Sequence, residues 1–205
     1  MFTVKPPLIV RSLLNRYIWN IRNKEKIVYI TFDDGPTPEI TKWVLEILDK
    51  YKAGATFFCI GRNVERNIEL FNEIIKRGHS IGNHTYSHLN GLKTLNDKYF
   101  DDIELASKLI KSNLFRPPYG LIKRSQGKKL VKKYRVILWD VLTYDFSMKK
   151  QPEDCFKNVK KKIRKGSVIV FHDSQKAWKN LEIALPLTLK YLQKTGYISK
   201  PIILK

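Results

Sequence analysis

The chain is 205 residues long, 43% hydrophobic and 12% aromatic, a composition that suits one domain with a full-sized core and excludes a disordered or low-complexity chain. Lysine and arginine outnumber aspartate and glutamate by 39 to 19, so the formal charge is +20 and charge alone favours anionic partners: nucleic acid, anionic lipid or an acidic envelope polymer. A lysine-rich proteome would leave the same charge with no partner, and two distant cysteines, Cys59 and Cys155, argue against a disulfide framework and a thiolate zinc site.

Residues 1–26 read as an amphipathic extension preceding a domain over 27–205. Val10, Leu13, Leu14, Tyr17, Ile18 and Ile21 recur at helical spacing over 8–21, with Arg11, Arg16 and Arg22 between them. Such a helix either packs on its own core, the commoner use, or lies on a membrane surface. Strands are expected at 27–32, 56–60, 79–82, 135–139 and 167–171. Helices are expected at 39–51, 67–76, 99–112, 128–134, 152–164 and 181–194, the last interrupted by Pro186. Ile40, Trp43, Val44, Ile47 and Leu48 mark the inner face of the first of these helices; Ile68, Phe71, Ile74 and Ile75 mark that of the second. In 152–164 the stripe Phe156, Val159 and Ile163 leaves the lysines on an outer, solvated face. Strands alternating with helices argue for a parallel α/β sheet, open or closed into a barrel. In such sheets polar chemistry collects at the carboxyl ends of the strands.

The polar residues fall at those ends. Thr31-Phe32-Asp33-Asp34-Gly35-Pro36 closes the first strand with two adjacent acids. Successive strand residues face opposite sides, so the two carboxylates share a site only where Gly35-Pro36 turns the chain. A cation would relieve their repulsion and leave one of them free as a base; a solvated Asp-Asp-Gly turn is the plain alternative. His84-Thr85-Tyr86-Ser87-His88 spaces two of the four histidines at i, i+4, which on a helical turn share a face and with a carboxylate make a metal site. Phe115-Arg116-Pro117-Pro118-Tyr119-Gly120 is a stiff loop that can hold an arginine near a carboxylate, or be a surface turn. The apolar strand at 168–171 ends in His172-Asp173, a histidine placed to act as an acid or merely to cap the strand. Asp140 and Asp145 follow another strand, and either could orient a histidine.

In this order the motifs resemble those of the polysaccharide deacetylases, the NodB-homology domain of the family-four carbohydrate esterases, over roughly residues 27–205. The resemblance implies a distorted (β/α) barrel and a metal-dependent hydrolase that removes N-acetyl groups from a glycan, peptidoglycan or a chitin-like oligosaccharide. It implies that Asp33 is the catalytic base, that Asp34, His84 and His88 bind the metal, and that Arg116 braces the base. It further implies that the Tyr119 amide faces the oxyanion and that His172 is the catalytic acid. The family's fourth motif has an acid, two residues, then Asp-Trp; here Leu142 stands at the first acid, Asp145 at the second, and Phe146 replaces Trp. Asp145 is therefore the candidate that tunes His172, with Asp140 in reserve. Zn2+ is the expected metal, with Co2+, Ni2+ or Fe2+ fitting the same ligands.

Two other readings are a deacylase of a lipid-linked sugar and a non-catalytic glycan-binding module. No recognition motif supports nucleic acid, and the expected state is a monomer that could associate peripherally with an anionic membrane or envelope polymer. No apolar run approaches the ~20 residues that span a bilayer and the first residues lack a secretory apolar core. The sequence thus reads as cytoplasmic or attached to the inner membrane face, although a glycan substrate would place it in the envelope.

Overall fold

Strand β1, Ile27–Asp33, is buried along its whole length, as expected for a central strand of a parallel sheet covered on both faces. A computed structural model describes residues 3–204 of the chain. β1 pairs in parallel with β2 (Ala55–Cys59) and β7 (Val168–His172). The sheet continues through β3 (Ser80–Asn83), β4 (Leu114–Phe115) and β5 (Arg135–Val136) on one side and β6 (Val141–Leu142) on the other. Its order is β5-β4-β3-β2-β1-β7-β6, and β8 (Ile198–Ser199) adds to the start of β1. All these pairings are parallel, and the sheet curls into the distorted (β/α) barrel.

Alternation along β1 assigns its two faces. Val28, Ile30 and Phe32 point outward under the helices α2 (Ile40–Lys50), α4 (Ile68–Lys76), α7 (Pro152–Lys162) and α8 (Trp178–Thr195), where Phe32 stacks on Phe57 with centroids 5.0 Å apart. Ile27 and Tyr29 point inward with Phe58, Leu114, Ile137 and Val168, which fill the lower barrel. Thr31 and Asp33 continue that inward row into the polar upper end. The remaining helices are α1 (Leu8–Leu13), α3 (Gly61–Arg66), α5 (Asn96–Leu109) and α6 (Arg124–Leu130).

Several expectations are corrected. The helix expected over 8–21 ends at Leu13; beyond it Ile18 bridges Ile137 and Asn20 bridges Ser167, so the chain lies extended on the barrel, with Tyr17 and Trp19 buried. Residues 1 and 2 of that expected extension lie outside the described residues. α8 runs unbroken through Pro186 because Leu181, Ala184, Leu185, Leu189 and Leu192 are all buried, and that packing outweighs a proline cost of about 3 kcal/mol. Ile68 and Ile75 flank rather than enter the core; only Phe71 and Ile74 of that set are buried. The strand expected at 135–139 keeps only Arg135–Val136, and β4, β6 and β8 are additional. α3 was also unforeseen, and α6 starts four residues before the expected 128. The lysines of α7 do lie outside. Among the described residues no helix is long and apolar enough to cross a membrane.

Candidate active site

Asp33 and His172 are register partners on neighbouring strands, so the fold places the ends of β1 and β7 side by side. The Asp33 carboxylate faces the barrel interior and accepts a hydrogen bond from Arg116 Nη1 at 2.6 Å. Arg116 follows β4 and is almost wholly buried. Its Nη1 also donates to Thr31 Oγ1 at 2.7 Å, and its Nε and Nη2 donate to the carbonyls of Ile137 and Leu138. Its guanidinium lies over the Phe58 ring, 4.1 Å from the centroid. Burial lowers the Arg116 pKa and the Asp33 carboxylate opposes that fall, which leaves an arginine cation. Asp33 is thereby fixed in orientation and given its counter-charge.

Asp34 takes φ 84°, a left-handed conformation that aspartate tolerates, and this swings its carboxylate away from that of Asp33. The turn is held from below: Asp173 Oδ1 accepts the Gly35 N–H at 3.1 Å, and Asp173 Oδ2 accepts the Thr41 hydroxyl at 2.5 Å. A Cβ on Gly35 would land on the Asp173 carboxylate, so this position requires glycine. Asn63 adds a bond to the Asp34 carbonyl at 2.7 Å.

His84 and His88 meet Asp34 without the helical turn expected from their spacing. Residues 84–88 form a loop in which Thr85 and His88 are left-handed, φ 64° and 58°. Asp102 on α5 shapes it by accepting the backbone N–H groups of Tyr86 and Ser87, each at 2.9 Å. The Asn83 side chain accepts the Thr85 N–H at 2.8 Å. His84 Nδ1 lies 2.7 Å from the Arg116 carbonyl, which assigns the proton to Nδ1 and leaves Nε2 aimed at Asp34. The two Nε2 atoms are 3.7 Å (His84) and 3.2 Å (His88) from Asp34 Oδ1.

One ligand atom from each of the three lies within 4.8 Å of the others, a set that fits a single divalent ion of borderline character with coordination positions to spare. Electrostatics agrees with that fit. Burial pushes the Asp34 carboxyl up, but the His88 hydrogen bond and the His172, His84 and His88 rings pull it below the usual carboxylate range. Burial lowers His84 to about 4 against the opposing pull of Asp33, so its imidazole is neutral near pH 7, as ligation requires.

Asp145, not Asp140, meets His172. Asp145 Oδ1 lies 2.8 Å from His172 Nδ1, and Oδ2 accepts the His172 N–H at 2.7 Å. The Asn180 side chain on α8 clamps the carbonyls of Asp145 and Ser147. Phe146 stands edge-on to the imidazole at 4.9 Å. Burial works against the charged imidazole, but Asp145, joined by Asp34 and Asp33, outweighs it and raises His172 to about 9. Because the folded pKa is raised, the His172–Asp145 stabilisation is complete below the unfolded value of about 6.5 and is lost as pH rises through about 9. In a proton NMR titration of the metal-free protein, His172 is expected to titrate near 9, and Asp145→Asn to move it down. An unchanged midpoint would mean that Asp145 does not set it. Asp140 instead anchors the N-terminal segment, accepting Arg11 at 2.5 Å, Arg164 at 3.0 Å and Ser167 at 2.7 Å.

Asp33, Asp34, His84, His88 and His172 open into one cavity of about 440 Å³, walled by Tyr119, Trp139, Leu142 and Phe146, with Lys176 among its lining residues. Tyr119 has φ 60° and lies 4.7 Å from His88 by ring centroids. Asp102, Asp173, Asn63, Asn180 and Thr31 were not found from sequence. They bond backbone or buried side chains across the fold and carry no spacing signature of their own; Thr31, which opens the motif that ends β1, and Asp173, next to His172, are the two that stand in or beside a motif.

Residues 20–136, more than half the chain, match the family model for polysaccharide deacetylase. A peptidoglycan-N-acetylglucosamine deacetylase of Bacillus cereus is 37% identical over 193 residues, 87% of each chain. Peptidoglycan-N-acetylmuramic acid deacetylase PdaC of Bacillus subtilis is 35% identical over 157 residues, 73% of this chain and 32% of that longer protein. The crystal structure of the Bc1960 peptidoglycan N-acetylglucosamine deacetylase superposes with a TM-score of 0.85 at 28% identity, covering 95% of this chain and 94% of that one. A family-model match over more than half the chain, and a relative this similar over nearly its whole length, make the chain a member of the polysaccharide deacetylase family.

Proposed function

We propose that the protein hydrolyses N-acetyl groups from a cell-wall glycan, peptidoglycan or a chitin-like oligosaccharide, with Asp34, His84 and His88 holding a divalent metal, Zn2+ by default. The observation that carries this is the convergence of three sets on one cavity: the Asp33–Arg116 pair, the Asp34–His84–His88 cluster and the His172–Asp145 pair. The two relatives described above, which act on the N-acetylglucosamine and N-acetylmuramic acid of peptidoglycan, support the substrate class.

A divalent ion in that cluster would supply Lewis-acid polarisation of the amide carbonyl and lower the pKa of a nearby water. The rest belongs to the side chains. Asp33, held by Arg116, takes the proton from the attacking water. The Tyr119 N–H faces the carbonyl oxygen as it becomes negative, a role commonly worth about 3 kcal/mol. His172, kept protonated and oriented by Asp145, delivers a proton to the departing amine; acetate and the free amino sugar result. Trp139, Leu142 and Phe146 keep the site partly dry, which strengthens each charge contact.

Acetate release from N-acetylated chitooligosaccharides tests the reading. Stripping the protein with a chelator is expected to stop release, and reloading with Zn2+ or Co2+ to restore it. Full activity in metal-free protein would overturn the proposal. A loaded protein inert on chitooligosaccharides and peptidoglycan fragments alike would redirect it to another acylated sugar.

A further inference from the structure

Helix α1 is fixed to the barrel yet buries none of its own residues fully. Leu8, Ile9 and Leu13 are 81%, 71% and 77% exposed, three of the most exposed large apolar side chains in the described chain, gathered on one short helix. At about 100° per residue they share one arc with Ser12, while Val10 and Arg11 fall on the opposite side. That inner side is tied down. Val10 packs against the cluster of Tyr17, Leu130 and Trp139, and Arg11 binds the Pro6 carbonyl and buried Asp140. Just before the helix, the Thr3 carbonyl accepts from Trp139 Nε1 and the Val4 carbonyl from the Leu142 N–H. The apolar edge is therefore held outward by a rigid frame. Because Trp139 and Leu142 also wall the catalytic cavity, the edge stands beside its mouth.

The two stretches of chain next to this edge carry side-chain charge of one sign. Residues 1–24 contain no aspartate or glutamate, and neither do residues 105–139. The fold brings the two stretches together: Tyr17 closes on Gly127 of α6, where a Cβ would strike the tyrosine hydroxyl. Arg124, Lys128 and Lys129 of α6, with Lys132 just beyond it, are exposed, as is Arg16. Lys133 beside them pairs with Glu104 of α5, but none of these five cations forms an ion pair among the described residues, and exposed apolar side chains near such a basic surface are the pattern of an interfacial membrane contact.

We propose that α1 seats the protein on an anionic lipid bilayer. Leu8, Ile9 and Leu13 enter the interfacial region, the α6 cations lie over the headgroups, and the cavity mouth is held close to the lipid surface. A soluble polyanion would satisfy the cations but leave the three apolar side chains in water. Two six-residue helices cover far less than the roughly 1,200 Å² of a stable protein interface, which argues against a second copy. The inference stands on the surface alone and does not depend on the catalytic reading.

Vesicle co-sedimentation tests it. Phosphatidylcholine vesicles with about one third phosphatidylglycerol are expected to bind the protein at least about tenfold more tightly than phosphatidylcholine alone. Leu8→Ser/Ile9→Ser/Leu13→Ser is expected to lose about tenfold of that binding, and Lys128→Glu/Lys129→Glu a similar share. Both variants should keep the wild-type melting temperature and acetate release from soluble oligosaccharide, which separates lost docking from lost folding. No preference of the wild type for anionic vesicles overturns the proposal. So does wild-type affinity in the triple serine variant, or a wild-type dimer that the serine changes convert to monomer.

Discussion

Asp33→Asn is expected to lower acetate release by about 10³-fold per folded, metal-loaded molecule, the usual worth of a positioned general base. The change is isosteric, and the asparagine oxygen can still accept from Arg116 Nη1, now 2.6 Å from the carboxylate. What is lost is the proton acceptor and the counter-charge of a buried arginine, so stability should also fall, by about 1–3 kcal/mol. Metal uptake provides the control, because Asp34, His84 and His88 are untouched. A variant that binds metal, melts cooperatively and keeps activity within tenfold of wild type would remove Asp33 from the base's role.

Arg116→Met is expected to give the largest loss of stability, about 3–5 kcal/mol, because it strands the buried Asp33 carboxylate and also removes every hydrogen bond that the guanidinium makes. The side chain bonds Asp33, Thr31 and the carbonyls of Ile137 and Leu138, thereby linking β1, β4 and the chain after β5 inside the barrel. Methionine fills much of the volume and satisfies none of these. In a domain of this size the melting temperature should fall by roughly 10 °C. Arg116→Lys should recover only part of it, since an ammonium lacks the planar fork that serves four acceptors. Combining Arg116→Met with Asp33→Asn should cost less than the two separate losses summed, since the companion charge is then absent. A shift under 2 °C for Arg116→Met would show that the buried pair does not hold the barrel together.

The misread helices share a cause. Local rules break a helix at Pro186 and extend one over 8–21, whereas buried leucines on α8 and the bridges from Ile18 and Asn20 decide the outcome. Local propensity is a weak prior once an element gains or lacks a packing surface. The loop 84–88 shows the reverse: the spacing of His84 and His88 points to a pair that does meet Asp34, but through a different conformation. Asp102 and Asn83 hold a loop that brings the same atoms together.

The sequence by itself determined the alternation that builds a parallel barrel, the order of the motifs and the residue types that end each strand. These are periodic or contiguous signals, written within windows of a few residues. Only the tertiary structure decided that Arg116 reaches Asp33 across 83 positions, that Asp145 rather than Asp140 meets His172, and that Asp173 holds the turn of Asp34. It alone left Leu8, Ile9 and Leu13 uncovered. Such contacts depend on strand order, register and the path of loops between distant segments, and no short window of sequence contains both partners.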